Sequence, residues 1–130
     1  MVRLSMALMA LVGACNPQPE VPVSGRGLYD GYCVKCHGTL GQGDGRLAAE
    51  LPVAPADLTM LRENNGGVFP YEAVMAQIYG YPGRHHLGLM PQFGPVLEGE
   101  QIDWVSPSGQ VVSTPRALVE LVDYLEVIQQ

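Results

Sequence analysis

Hydrophobic residues along this chain fall into short runs at helical spacing, separated by stretches rich in glycine and proline. That rhythm predicts several brief helices joined by loops. The clearest element is the last: Leu118, Leu121, Val122, Leu125 and Ile128 form a continuous apolar stripe, with Thr114 placed as an N-cap and Pro115 at the first helical position. Much earlier, GRGLYDGYC sets Leu28 and Tyr29 about one turn before Tyr32, which predicts a short helix ending at the cysteines. Between these two, RLAAEL reads as a turn of helix. Asp57 reads as the cap of a stretch through Met60 and Leu61 that Asn64-Asn65-Gly66-Gly67 ends. Pro70 opens a further helix in which Val74 and Ile78 share a face with Tyr71 or Met75, and Gly80 stops it. Residues 97–101 predict another turn of helix, and IDWVSPSGQVV predicts a small hairpin around Ser-Pro-Ser-Gly. GTLGQGDG and YGYPGRHHLGLMPQFGP are loops.

At 130 residues the chain is one domain's worth. With 16 glycines, 11 prolines and only 7% aromatics, it is lean in the bulky side chains that usually fill a small core. The first residues change the picture further. Arg3 is followed by an uncharged stretch over residues 4–14 and then Cys15. That stretch is too short for a membrane-spanning helix, which needs roughly 20 apolar residues, but it suits the h-region of an export signal. With Gly13-Ala14 before the cysteine it resembles a bacterial lipoprotein signal, which implies that Cys15 is acylated. The expected organisation is a signal over 1–14, a lipidated cysteine and proline-rich tether over 15–24, and one folded domain over 25–130. Loss of Arg3 leaves six basic against 13 acidic side chains, a formal −7. Such a surface argues against nucleic acid and for protein partners.

Cys33 and Cys36 then remain as a pair, inside YCVKCHG. A thioredoxin-type dithiol needs a strand before it in a parallel sheet, and none is patterned here. A structural zinc site needs a second pair of ligands; only the adjacent His85 and His86 offer one, an awkward geometry. A nucleophilic cysteine meets its histidine in space rather than as the next residue. Covalent haem explains every position. Two thiols at i and i+3 on one helical turn can each add to a vinyl group of the porphyrin, and the imidazole of His37 is thereby aimed at the iron. The ring also supplies the missing bulk.

Taken together, GLYDGYCVKCHG, GQGDG, PADLT, LMPQFG and ALVELVDYLEVI resemble the class I c-type cytochromes over essentially all of the chain from Gly25 onward. The resemblance implies an all-α fold of four to five short helices around one covalently attached haem c, to which the pattern read above adds a small β-hairpin before the last helix. It implies Cys33 and Cys36 as thioether attachments, His37 as proximal ligand, and a small residue at Gly25 so that the first helix can cross the last near Tyr124. Met90, followed by proline and 53 residues after His37, matches the family's distal ligand; Met75 and Met60 read as packing residues, and His85 or His86 is the rival ligand. A proline carbonyl, from Pro55 or else Pro52, is implied as the partner of the proximal imidazole, with Pro55 favoured. Arg46, Tyr81 and Arg84 are candidate partners of the haem propionates. EGEQIDWVSPSGQVVSTP is longer than the brief connector usual in the family, and reads as a docking flap or a decoration.

The function expected is one-electron transfer, not catalysis, by a cytochrome lipid-anchored on the periplasmic face of a bacterial membrane near respiratory partners. The alternatives are a haem sensor or small haem enzyme with an open sixth site, and a fixed subunit of a larger redox complex.

Overall fold

The computed structural model describes residues 24–80 and 89–130. Cys15 and the rest of the signal and tether through residue 23 lie outside the described residues, as do Tyr81, Arg84, His85 and His86. The described chain runs α1 (Gly25–Tyr32), α2 (Val34–His37), a 3-10 turn (Ala48–Glu50), a second such turn (Leu58–Met60) leading into α3 (Leu61–Asn64), α4 (Tyr71–Tyr79) and α5 (Gly94–Leu97). Strands β1 (Gln101–Val105) and β2 (Val111–Pro115) follow, then α6 (Arg116–Val127). The fold is therefore mostly helical rather than all-α. Among the described residues it has six helices where four to five were expected, because α1 and α2 part at Cys33 and two four-residue turns, α3 and α5, count separately.

The elements form for local reasons. Ser24 is the N-cap of α1, its hydroxyl accepting from the Gly27 N–H at 3.1 Å. As expected, Asp57 caps the second 3-10 turn, its Oδ1 accepting from the Thr59 backbone N–H at 2.9 Å and the Thr59 hydroxyl at 2.6 Å. Gly80 ends α4 in the left-handed conformation that a side chain would strain.

The core is centred on α6, whose Leu118, Leu121, Val122 and Leu125 are buried as the stripe predicts. Val74, Met75 and Ile78 of α4 join it, which bears out Met75 as a packing residue. On another side α1 crosses α6. Tyr29, fully buried, stacks at a tilt on Tyr124 with ring centroids 5.3 Å apart, and its hydroxyl donates to the Gly38 carbonyl at 2.6 Å. Burial foremost, then the charges it would meet at Cys33 and Tyr124, pushes the Tyr29 hydroxyl far above the usual phenol range.

The hairpin forms as read. β1 and β2 are antiparallel, with Trp104 opposite Val112 and Val105 opposite Val111, and the turn closes through Ser106 N–H to the Gln110 carbonyl at 2.8 Å. Trp104 packs toward α4, its ring 6.1 Å from that of Tyr71, which in turn meets Phe69 edge-on at 4.9 Å. Two boundaries differ from expectation. Thr114 and Pro115 belong to β2, paired with Ile102 and Gln101, so α6 starts only at Arg116. Strand pairing wins over capping there: the Thr114 hydroxyl donates to the Val112 carbonyl, and the Arg116 N–H extends the ladder to the Glu100 carbonyl at 2.8 Å. The turn expected over residues 97–101 sits upstream as α5, with Pro95 in its first turn, because Gln101 is already committed to β1.

Candidate functional site

The CVKCH segment is a single helical turn stabilised from both sides. His37 N–H and Gly38 N–H donate to the Cys33 and Val34 carbonyls at 2.9 Å each, which winds Cys33, Cys36 and His37 together. The last carbonyls of so short a helix have no partners within it. The glycine loop that follows supplies them. Gly43 N–H donates to the His37 carbonyl at 2.9 Å, Gly45 N–H to Cys36 at 3.1 Å and Leu47 N–H to Lys35 at 2.9 Å. GQGDG is thus a cap folded back over α2. Gly43 makes this possible: it has φ +79°, and a side chain there would come within 2.5 Å of the Pro55 carbonyl oxygen.

Both thiols are free, and Cys33 packs against the core cluster. Burial, reinforced by the neighbouring Cys36, pushes the Cys33 thiol up to about 11, so it stays protonated at neutral pH. The ring of His37 is oriented by one bond. Its Nδ1 lies 3.0 Å from the Ala56 carbonyl oxygen. A carbonyl can only accept, so in the neutral imidazole Nδ1 carries the proton and Nε2 the lone pair, and Nε2 has no hydrogen-bond partner among the described residues.

This corrects the expectation for Pro55. The acceptor is Ala56, one residue on. Residues 54–57 belong to no helix or strand, and there the Pro55 carbonyl oxygen lies against Gly43 while that of Ala56 meets the imidazole. Residue type gave no signal for Ala56, since every residue carries a carbonyl.

Met90 is half-buried against the core cluster. Its loop reaches the CVKCH turn through Phe93, whose ring lies 6.1 Å from that of Tyr32, the residue before Cys33. Arg46 is exposed and makes no ion pair among the described residues; with Val34, Lys35, Thr39 and Asp44 it lines a surface cleft of about 290 Å³. Two residues that the sequence did not mark for the site also matter: Tyr29, whose hydroxyl holds the chain just past His37 at Gly38, and Gln77, whose Nε2 is 3.9 Å from the Met90 sulfur.

The residues present fit a covalently held haem. Two unpaired thiols share one turn with an imidazole whose coordinating nitrogen is left open, and apolar side chains near the motif stay uncovered, with Tyr32 46% and Leu40 67% exposed. Among the described residues no helix is long and apolar enough to cross a membrane.

Comparison with known proteins places the chain in a family. Neither the curated proteins nor the solved structures contain a match to the chain. The family model described as cytochrome c oxidase, cbb3-type, subunit III matches residues 20–106, two thirds of the chain, from before α1 into the turn of the hairpin. The chain therefore belongs to the cbb3-type cytochrome c oxidase subunit III family, and is a c-type cytochrome domain, a haem protein of electron transfer.

Proposed function

We propose that this domain carries one haem c, held by thioether bonds from Cys33 and Cys36 and ligated by His37 and Met90, and that it passes single electrons between protein partners. The observation that carries the reading is the His37 to Ala56 hydrogen bond, which orients an imidazole with its second nitrogen open on the same turn as two free thiols. When bound, the haem supplies a one-electron ferric/ferrous couple. The protein's part is to hold and tune it. Ala56 keeps Nδ1 of His37 protonated and raises the basicity of the ligating nitrogen. Met90 would offer its thioether as a second ligand to the iron, which would favour electron transfer over ligand binding and give a higher potential than a second imidazole would. Arg46, exposed and without a carboxylate partner among the described residues, is available to a propionate, with Tyr81 and Arg84 as further partners.

Upstream of the domain, the signal-like segment ending in Cys15 and the proline-rich run after it make the protein a lipoprotein of the periplasmic face. A short tether would keep the haem at high local concentration near membrane partners. A fixed place in a larger redox complex is the second reading. It is favoured by the family itself and by the hairpin, whose Val105, Val111 and Val112 are 60%, 64% and 43% exposed.

The test is the optical spectrum of the purified protein, oxidised, reduced, and reduced under carbon monoxide. A low-spin ferric form with a far-red sulfur-to-iron band and no response to carbon monoxide is expected. A high-spin ferric spectrum or rapid carbon monoxide binding would overturn the electron carrier in favour of a sensor or small haem enzyme. Co-purification with a membrane complex, lost on deleting residues 104–112, would establish the fixed subunit.

A further inference from the structure

The loop that carries Met90 is seated on the last turn of α4. Phe93 N–H donates to the Ile78 carbonyl at 2.9 Å, and Gly94 lies so close to Tyr79 that an added methyl group would stand 2.8 Å from its carbonyl oxygen. A methyl group added at Gly80 would likewise meet the Gln92 side chain, 2.5 Å from its Cγ. These contacts fix the loop against the end of α4, one to three residues after Gln77. Half-buried beside Ile78, Gln77 brings its Nε2 to 3.9 Å from the Met90 Sδ, within hydrogen-bond reach of a sulfur acceptor.

We propose that Gln77 is a positioning residue for Met90, its carboxamide N–H orienting the thioether sulfur and drawing electron density from it; this rests on the reading of Met90 as the axial ligand. A thioether sulfur has two lone pairs. A donor engaged with one restricts rotation about the last bonds of a flexible side chain and leaves the other directed away. The same N–H makes the sulfur a poorer electron donor. Since the ferric state relies more on donation from its ligands, the bond favours the ferrous state and raises the potential, as outer hydrogen bonds to ligating atoms do. α4 therefore does more than pack the core: its last turn sets both the place and the donor strength of the sulfur.

The experiment is an equilibrium redox titration of the full-length holoprotein, with the far-red sulfur band recorded, for wild type, Gln77→Leu, Gln77→Asn and Met90→Ala. Gln77→Leu keeps the side chain's bulk and removes the donor. It is expected to retain the far-red band at a displaced maximum and to shift the one-electron equilibrium about fivefold toward the ferric form, the effect of one ordinary hydrogen bond; a tenfold shift would be 59 mV. Gln77→Asn, which draws the N–H back by one methylene, should move both readouts in the same direction by less, and carries the test alone if Gln77→Leu folds poorly. A potential and band equal to wild type in these variants would overturn the role of Gln77. If Met90→Ala loses the band while the Gln77 variants are unmoved, only Gln77 has failed. If Met90→Ala keeps the band, the axial assignment has failed and the proposal falls with it.

Discussion

Gly25 of α1 lies against the backbone of Glu120 in α6, with no room for a side chain: a methyl group there would overlap the Glu120 carbonyl oxygen and stand 2.8 Å from the Tyr124 Cβ. The two helices cross at this point, and the crossing sets the direction in which α1 delivers Cys33 to the core.

Gly25→Ala should therefore act as an overpacking change in the core, despite the small size of alanine and its better helix propensity. We expect a loss of about 1–3 kcal/mol, measured by denaturant unfolding of the holoprotein. A change of less than a few tenths of a kcal/mol would mean that α1 and α6 are not held at this separation in solution.

Cys36→Ala should leave one thioether. The alkaline pyridine haemochrome then shifts to the red of wild type, because one vinyl group remains conjugated with the ring. An unshifted band would show that Cys36 takes no part in attachment.

Tyr71 donates a hydrogen bond to Glu126 of α6, which also pairs with Arg62 at 3.1 Å. Burial, then the hydrogen bond and charge of Glu126, pushes the Tyr71 hydroxyl up to about 12, against roughly 10 in an unfolded chain. The neutral phenol is thus the form that the fold favours. Its contribution is complete below pH 10 and is lost as pH rises toward 12. Tyr71→Phe should be less stable than wild type at pH 8, by under about 1 kcal/mol since the pair is partly solvated. The difference should shrink steadily above pH 10. Unfolding curves of both proteins between pH 8 and 12 check this, and a gap that widened with pH would contradict it.

Cys15→Ser should release the protein from membranes and leave the haem spectrum unaltered. Fractionation and mass analysis of the N-terminal peptide decide it: a variant that stayed on membranes without acyl groups would remove the lipoprotein reading.

Much of the site was legible because its chemistry depends on residue types at short range. Thiols three apart followed by an imidazole occupy one helical turn wherever that turn forms, so Cys33, Cys36 and His37 stood out before any fold was known. The buried stripe of α6, the Asp57 cap, the Ser-Pro-Ser-Gly turn and the need for a small residue at Gly25 were equally readable, the last through resemblance rather than periodicity. Pattern and local hydrogen bonding act over a few residues, and sequence displays them directly.

Backbone direction and register are not displayed that way. Whether Pro55 or Ala56 turns its carbonyl to His37 depends on how an irregular segment packs over the glycine loop, a one-residue choice that no side chain announces. Thr114 and Pro115 carry the signature of a helix start, yet pairing with Ile102 and Gln101 draws them into β2. The approach of Gln77 to Met90 likewise exists only once the loop is seated on α4 across 13 residues. The sequence by itself determined which residue types could attach and ligate a haem and most of the segments that become helical, though not their exact bounds. Only the tertiary structure decided which carbonyl orients the imidazole and which amide meets the sulfur, because those contacts are made between segments whose relative placement is a product of the packed core.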